Sequence, residues 1–175
     1  MYSRSKPLNF VSMEQIERQY DEWMKQDRDT RFIIELIGTN EPIGLAVIRG
    51  QKWGNVKDAD LGIYIGKKDL WGKGYGKQIT VALLEMCFIF LNMERCQAWS
   101  IEYNTRAHKT LEACGFKKGG AMRKTSLVNG KKWDSFHFDI LREEYLNIRD
   151  DLLRKTLEKK LGEYLKKHCG LAKKT

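Results

Sequence analysis

Three glycines stand on alternate positions, Gly72, Gly74 and Gly76, directly before a long apolar run. Because glycine has no side chain, several backbone N–H groups of such a loop can approach one phosphate. The N-terminus of a following helix points its positive dipole at the same place. Lys73 and Lys77 add positive charge beside the glycines. The spacing therefore favours a phosphate cradle, although a flexible turn before a helix would use the same residues.

Two common nucleotide-binding patterns do not fit this loop. The dinucleotide fingerprint G-x-G-x-x-G needs a wider third spacing than GKGYGKQ provides. The chain also contains no G-x-x-x-x-G-K-[ST] sequence, which is the pattern of a P-loop. NAD and ATP are therefore disfavoured as ligands.

The four cysteines do not form a metal or disulfide pattern. No two of them have C-x-x-C spacing, and three lie in apolar runs, where cysteine commonly acts as a small buried side chain. We therefore expect neither a zinc site nor a disulfide framework, and no other metal site is predicted. The cysteines are Cys87, Cys96, Cys114 and Cys169.

The composition indicates one globular domain. The chain has 175 residues, of which 42% are hydrophobic and 31% charged, and this excludes the disordered and collagen-like classes. The longest apolar run, from Ile79 to Leu91, is shorter than the roughly 20 residues of a membrane helix, and the start has no apolar signal region. We therefore expect a cytoplasmic protein without membrane contact.

The net charge of +9 is compatible with a polyanionic or phosphorylated partner but does not identify one. Acidic residues are interspersed among the basic residues of the C-terminal part, where a nucleic-acid-binding arm would be more uniformly basic. Binding of nucleic acid is therefore an unlikely function of this chain.

Hydrophobic periodicity predicts a mixed α/β (α+β) fold in the order helix, three strands, helix, strand, helix, two strands, helix. Two hairpins are indicated, one by GTNE between β-branched runs and one by the Asn-Gly pair between residues 121 and 141. Ser12 and Gln15 have the spacing of a capping box at the first helix. The predicted helices cover residues 12–26, 76–91, 105–114 and 142–168, and the predicted strands cover 31–37, 42–50, 58–66, 96–101, 121–128 and 132–141.

These elements carry a family pattern in the sequences DADLGIYIGKKDLWGKGYGKQITVALLEMCF, NTRAHKTLEACGFKKGG and NGKKWDSFHFDILREEY. The combination resembles the GNAT superfamily of acetyl-CoA-dependent N-acetyltransferases, over roughly residues 31 to 145. Within the superfamily it is most similar to the branch of ribosomal-protein N-terminal and spermidine acetyltransferases. The resemblance implies a mostly antiparallel sheet that is splayed at the cofactor site and flanked by helices, with an extra long C-terminal helix.

The resemblance also implies acetyl-CoA as cosubstrate and assigns residues to it. The family's pyrophosphate motif, Gln/Arg-x-x-Gly-x-Gly/Ala, falls on the glycine loop, where Trp71 departs from its first position. The strand before the loop resembles the one that pairs with the pantetheine arm. Asn104 matches the family's asparagine near the pantetheine or the adenosine phosphates, and it would also serve as an N-cap. The implied coenzyme-binding residues are Ile63, Tyr64, Ile65, Trp71, Gly72, Lys73, Gly74, Tyr75, Gly76, Lys77 and Asn104.

Acetyl transfer to an amine needs a base that removes a proton from the amine. Asp60 stands where this branch often has Glu or Asp on the strand beside the thioester, and Glu35 on a neighbouring predicted strand is the second candidate. Solvation or ion pairing at the strand edge would explain Asp60 equally well. The oxyanion would be stabilised by a backbone N–H near Ile65. Direct attack of the amine on the thioester needs neither a metal nor a covalent enzyme intermediate.

The proton donor for the departing thiolate is open. Many family members have a tyrosine where this chain has Leu111. The remaining candidates are Tyr64, Tyr103, Ser135 and His137, and a water molecule is a further alternative. His108, beside Lys109, is interpreted as a solvated helix residue, while His137 alternates with two phenylalanines and can line an acceptor cleft. Trp53 is a candidate cover for the acceptor site.

The two ends of the chain limit what the resemblance predicts. Only some 11 residues precede the first predicted helix, so we expect the acetyltransferase domain, residues 1–141, without the family's N-terminal strand. Either the fold lacks this strand, or the start of the sequence is late, or the C-terminal helix or a partner chain covers the exposed edge of the sheet. Residues 142–175 are expected to form a helix and basic tail packed on the same domain or on a partner, and a homodimer is predicted.

The predicted acceptor is a protein N-terminus or a small amine such as a polyamine or amino sugar. A non-catalytic acyl-CoA-binding module is the alternative function.

Overall fold

A computed structural model describes residues 12–25, 29–51 and 57–158. Six strands form one sheet in the order β1-β2-β3-β4-β6-β5. Of the neighbouring pairs, only β3 with β4 is parallel. The strands are β1 (Asp29–Leu36), β2 (Glu41–Gln51), β3 (Asp58–Ile65), β4 (Arg95–Ile101), β5 (Lys117–Val128) and β6 (Lys131–Leu141). The predicted mixed, mostly antiparallel sheet is confirmed.

Four α-helices accompany the sheet in the described part of the chain. They are α1 (Met13–Met24), α2 (Tyr75–Glu85), α3 (Thr105–Glu112) and α4 (Arg142–Leu153). A π-type turn, Met86–Phe90, extends α2, and another, Arg154–Glu158, extends α4. The predicted capping box of α1 is present, because Ser12 Oγ accepts from the Gln15 N–H at 3.2 Å. The predicted segments before Ser12 and after Glu158, and Trp53, lie outside the described residues.

The turn residues account for both hairpins. Asn129 and Gly130 have φ angles of 52° and 75°, which is the left-handed pair that a two-residue hairpin turn requires. In the β1–β2 turn, Gly38 and Asn40 also have positive φ angles, of 98° and 54°. These are the positions where glycine and asparagine are tolerated best. The turn chemistry thus fixes which strands are neighbours.

One face of the sheet forms the core together with α2 and α3. Ala59 and Leu61 of β3 pack with Val81 and Leu84 of α2 in a continuous buried cluster. Since side chains alternate along a strand, Asp60 between them points to the opposite face. The core therefore leaves that face of β3 free for polar side chains.

Helix α4 is joined to the far end of α2 by a buried polar cluster. Tyr145 is fully buried and donates to Glu85, which also accepts from Arg149 Nε at 2.6 Å. The pKa of Glu85 is held below its ordinary value by the hydrogen bonds from Arg149 and, to a smaller extent, by the one from Tyr145. These bonds outweigh burial, which by itself would raise that pKa. The start of the C-terminal helix thus packs on its own domain, while the placement of the rest of residues 142–175 stays a prediction.

Helix α1 carries its apolar stripe in an exposed position. Met13, Ile16 and Tyr20 have 70%, 48% and 57% of their surface exposed. Trp23 at the end of the helix contacts the sheet, because the Arg31 guanidinium lies 5.0 Å from the centre of its ring. No helix among the described residues combines the length and apolar composition that a bilayer crossing requires.

Gly44 of β2 is expected to be required for stability. A Cβ atom on this residue would lie 2.1 Å from the Tyr64 carbonyl oxygen, so β2 and β3 would have to separate. We expect Gly44→Ala to lower the free energy of unfolding by about 3 kcal/mol in urea denaturation. Gly66→Ala is the control, since its Cβ would meet the Ile43 oxygen at an ordinary 3.8 Å. Equal stability of the two variants would contradict the close approach.

Candidate active site

The two parallel strands pair at one end and then separate. Their register comprises three pairs, of which Asp60 with Gln97 is the last, although both strands continue beyond it. On the side of β4, the remaining residues of β3, up to Ile65, therefore border a gap and have no paired strand. An open strand edge of this kind can pair with an extended ligand that carries amide groups.

The backbone of β3 points its free groups into this gap at alternate residues. The N–H of Gly66 donates to the Ile43 oxygen of β2 at 2.9 Å. Because neighbouring residues of an antiparallel strand point in opposite directions, Tyr64 also faces β2, while Ile63 and Ile65 face the gap. Of the three strand residues implied by the resemblance, two therefore offer backbone groups to the gap.

Trp71 lies at the other end of the gap, beside Ile65. Its indole Nε1 donates to the Ile65 carbonyl oxygen at 2.9 Å, so the ring is fixed against the end of β3. The guanidinium of Arg106 lies 4.0 Å from the centre of the same ring. This contact is a cation–π interaction, which holds a positive charge beside the glycine loop.

The glycine loop leads into α2 without any side-chain cap. Gly72 and Gly74 have φ angles of 75° and 85°, and no atom would contact a Cβ on either residue within 4 Å. Gly74 is the N-cap of α2, and no side chain accepts from the first N–H groups of the helix. These N–H groups and the helix dipole are therefore available to an anion. The structure thus has the geometry of the predicted cradle.

Lys73 and Lys77 carry positive charge at the cradle. Lys73 is exposed and Lys77 half-buried, and neither forms an ion pair with a carboxylate of the described residues. Cys114 lies beneath Lys77, with its sulfur 3.9 Å from the Lys77 carbonyl oxygen. Burial raises the pKa of the Cys114 thiol to about 11, so this cysteine is a protonated core residue, as predicted.

Helix α3 starts beside the same loop. Asn104 is its N-cap, and its Oδ1 accepts from the Ala107 N–H at 3.4 Å, which confirms the predicted cap. Arg106 occupies the first turn of α3 and thereby reaches Trp71. Gly76 of α2 lies opposite Thr110, since a Cβ on the glycine would contact Thr110 at 3.7 Å. Helices α2 and α3 therefore lie side by side at the cradle.

Asp60 lies at the closed end of the gap, on the face away from α2. Its carboxylate accepts from Arg49 Nη1 at 2.7 Å, and Arg49 is its register partner on β2. Burial by itself would lower the pKa of Arg49, but Asp60 and Tyr64 raise it by more. The ion pair that the sequence left as an alternative for Asp60 is therefore present.

A row of polar side chains continues from Asp60 across the sheet. Gln97 of β4 is its register partner, and Gln97 Oε1 lies 2.9 Å from His137 Nε2. The His137 ring packs against Trp99 with a centroid distance of 4.7 Å. As predicted, His137 faces away from its two phenylalanine neighbours, of which Phe138 is buried in the core. The row comprises Arg49, Asp60, Gln97 and His137.

Glu35, the second candidate base, lies elsewhere. It is an exposed residue at a bulge of β1, opposite Pro42. Arg49 of β2 pairs with Asp60 on one side and with Asp29 of β1 on the other, so Asp60 and Asp29 lie at the same level of the sheet. Glu35 lies six residues further along β1, about 20 Å from that level. The structure therefore does not bring the two carboxylates together.

His108 corrects one interpretation made from the sequence. It is not a solvated residue, since its ring packs 5.4 Å from Phe136 and 5.3 Å from Phe138. Its Nε2 lies 3.1 Å from the Ile101 oxygen, and burial lowers its pKa. The charged neighbour Lys109 suggested exposure, but His108 lies three residues before buried Leu111 and shares its helix face.

The proton-donor candidates are dispersed. Tyr64 lies beside Arg49 on the polar face, and the Ser135 hydroxyl bonds Thr125 Oγ1 at 2.6 Å. Tyr103 packs edge-on against Trp133 with a centroid distance of 5.0 Å.

Arg49 and Arg106 are the site residues that sequence reasoning missed. An arginine in the first turn of the helix that starts at Asn104 was the available signal for Arg106.

The arrangement can bind an extended, phosphorylated molecule. An anion would lie at the uncapped start of α2, and an amide-bearing chain would pair with the free edge of β3. A carboxylate stands at the closed end of the gap on the opposite face. Among the described residues, no group of three or more His, Cys, Asp or Glu side chains could hold a metal ion.

Comparison with known proteins agrees with this geometry. Residues 3–117 match the profile of the acetyltransferase (GNAT) domain. The chain is 30% identical over 115 residues to the uncharacterized N-acetyltransferase p20 of Bacillus licheniformis, covering 66% of this chain and 64% of that protein. It is 27% identical over 73 residues to the uncharacterized N-acetyltransferase YnaD of Bacillus subtilis, covering 42% and 43%. The matched part thus spans just under two thirds of p20.

A solved structure shows the same fold. The crystal structure of spermidine N-acetyltransferase from Vibrio cholerae in complex with CoA and spermine superposes with a TM-score of 0.70. The sequence identity is 24%, and the match covers 78% of this chain and 79% of that chain. The profile match extends over more than half of the sequence and includes the gap, the glycine loop and α3. The chain therefore belongs to the acetyltransferase (GNAT) domain family.

Proposed function

We propose that this protein transfers the acetyl group of acetyl-CoA to a primary amine by direct attack of the amine on the thioester. The observation that carries the proposal is the continuous path from the uncapped, glycine-lined start of α2 to the free edge of β3. This path suits a pyrophosphate joined to an extended amide chain, which is the chemistry of coenzyme A. Membership of the family supports the same donor.

The coenzyme-binding roles follow from this path. The backbone N–H groups from Gly72 to Lys77 hold the phosphates, with Lys73 and Lys77 adding charge. Ile63 and Ile65 pair through their backbone with the pantetheine arm. Trp71 contributes by fixing the end of β3, and Asn104 by starting α3 beside the loop. Tyr64, whose backbone faces β2, contributes only to the polar face beside Arg49.

Asp60 is proposed as the base that takes the proton of the amine. Its carboxylate stands at the closed end of the gap, on the face that α2 leaves open. Arg49 keeps it oriented through the bond of 2.7 Å. Glu35 is the weaker candidate, because it lies on the exposed edge strand away from the gap. The acceptor is a primary amine, either a protein N-terminus or a small amine such as a polyamine or amino sugar.

We also propose a cytoplasmic homodimer. Cys87, Cys96 and Cys114 are free thiols, which suits a reducing compartment. An exposed apolar patch lies around Phe90, which has 75% of its surface exposed, and self-association would cover it. Sedimentation equilibrium tests the dimer by comparing the molecular mass of the wild type with that of Phe90→Ser.

Two measurements test the function. Calorimetry with coenzyme A asks whether the path binds this ligand at all. Release of free thiol from acetyl-CoA is then followed with a panel of primary amines and N-terminal peptides. Lack of coenzyme binding would end the proposal. Binding without turnover on any amine would favour the alternative, a non-catalytic acyl-CoA-binding module.

Arg106 is predicted to strengthen coenzyme binding. No carboxylate of the described residues pairs with its guanidinium, which lies 4.0 Å from the centre of the Trp71 ring beside the cradle. We expect Arg106→Gln to raise the dissociation constant of coenzyme A about tenfold, by loss of a charge-assisted contact. Arg31→Gln is the matched control, because Arg31 also stacks on a tryptophan but on α1. Equal calorimetric affinities for the two variants would refute the role of Arg106.

A further inference from the structure

Ser100 of β4 carries a buried hydroxyl that has no hydrogen-bond partner. The residue is 7% exposed, and no described residue donates to or accepts from its Oγ. Buried hydroxyl groups are almost always paired in folded proteins, so an unpaired one requires an explanation. Binding of a ligand that supplies the missing partner is such an explanation.

The unpaired hydroxyl lies on the wall of the gap, opposite the free edge of β3. The parallel register ends with Asp60 and Gln97, and its continuation by three residues brings Ser100 level with Ile63. Ile63 is one of the two residues of β3 whose backbone groups face the gap. Ser100 and the backbone of Ile63 therefore lie at the same level on the two sides of the separated strands.

The side chain of Ser100 points to the helix-covered face. Cys96 and Ala98, four and two residues before it, lie in the core on that face, so Ser100 has the same orientation. Its register partner on β6 is Phe136, which contacts α3 through the ring of His108. The polar row with Asp60 lies on the other face. A thioester in the gap would thus have the base on one side and the Ser100 hydroxyl on the other.

We propose that the Ser100 hydroxyl donates a hydrogen bond to the sulfur of coenzyme A. This inference rests on the proposed function. In this role the hydroxyl stabilises the departing thiolate. Such a group is needed here because Leu111, a buried apolar residue, stands where many relatives have a tyrosine. The N–H of Ile63, two residues before the Ile65 position expected from the sequence, is left to polarise the thioester carbonyl.

The chemical step balances without a further reactant. The nitrogen of the amine forms a bond with the acetyl carbon, the carbon–sulfur bond breaks, and its electron pair stays on sulfur. The proton of the amine passes to the base, and the thiolate finally takes up a proton from solvent. Ser100 keeps its own proton throughout, since it acts only as a hydrogen-bond donor to the developing negative charge.

Titration of bound coenzyme A tests the inference apart from turnover. Thiolate formation is followed by ultraviolet absorbance for the wild type, Ser100→Ala and Ser126→Ala. Ser126 is the matched control, because it is a buried serine of β5, the strand at the edge of the sheet on the far side of β6 from the gap. We expect the thiol pKa of bound coenzyme A to be about one unit higher in Ser100→Ala than in the other two proteins. Turnover of Ser100→Ala should fall about tenfold to a hundredfold.

The outcomes separate the two proposals. Coenzyme binding with the same thiol pKa in all three proteins overturns the role of Ser100 and leaves the proposed function standing. Failure of the wild type to bind coenzyme A overturns both. Thermal unfolding without ligand checks that the variant is folded. Because Ser100→Ala removes an unpaired hydroxyl, the melting temperature of the variant should be no lower than that of the wild type. A lower melting temperature would also overturn the inference, because it would show that the hydroxyl already has a partner.

Discussion

Replacing Gly74 with valine is expected to raise the dissociation constant of coenzyme A at least about a hundredfold, which corresponds to the loss of two bonds between backbone N–H groups and charged phosphate. Gly74 has a φ of 85° and is the N-cap of α2, so a side chain there would project beside the first N–H groups of the helix. It would also change the backbone angles that direct those groups. Calorimetry with coenzyme A measures the effect.

The effect on stability should be much smaller than the effect on binding. No atom lies within 4 Å of a Cβ at Gly74, so only the strain of a left-handed valine, about 2 kcal/mol, opposes folding. Gly130→Val is the control, because Gly130 also has a positive φ of 75° and open space but lies in the β5–β6 turn. If both variants bound coenzyme A like the wild type, the glycine loop would not be the phosphate cradle.

Replacing Asp60 with asparagine is expected to lower turnover by about a hundredfold to ten-thousandfold, the usual contribution of a positioned general base. The carboxylate lies at the closed end of the gap but on the face away from the cradle, so coenzyme affinity should be unchanged. Steady-state release of free thiol at saturating acetyl-CoA measures the loss.

The neighbouring residue Asp58 offers a matched control for this substitution. Asp58 bonds Arg95 at 2.7 Å, just as Asp60 bonds Arg49 at 2.7 Å. It points to the same face but lies two residues further from the gap. Asp58→Asn should therefore destabilise the protein by a similar amount without the loss of turnover. Similar activities of the two variants would assign Asp60 a purely structural role.

The elements of the fold could be read from local sequence because each has a local cause. The Asn129–Gly130 pair specifies a hairpin turn by its backbone angles alone. Ser12 and Gln15 specify the start of α1 by reciprocal hydrogen bonds. The glycine loop could be recognised from its residue types, since only glycine occupies two positive-φ positions without strain. Local chemistry therefore predicted the order of the elements and the glycine loop before α2, while the phosphate cradle stays a prediction.

The partners of the site residues could not be predicted in this way. The ion pair of Asp60 with Arg49 joins residues eleven positions apart, and it depends on the register of β2 with β3. A shift of one residue would place either side chain on the other face. The contact between Trp71 and Arg106 depends on how α3 approaches the loop, which no neighbouring residue encodes. Similarly, Glu35 lies away from the gap because the strand order places β1 at the edge of the sheet, with β2 between it and β3.

The position of Trp71 has an optical consequence. Its indole is held by the Ile65 carbonyl on one side and by the Arg106 guanidinium on its face, so its fluorescence responds to the charge and polarity of the cradle. An anion that draws Arg106 away from the ring would change the emission of this tryptophan first. A variant that keeps Trp71 and replaces the other four tryptophans with phenylalanine would therefore report the arrival of a ligand in real time. The protein thus contains its own stopped-flow probe for the order in which donor and acceptor bind.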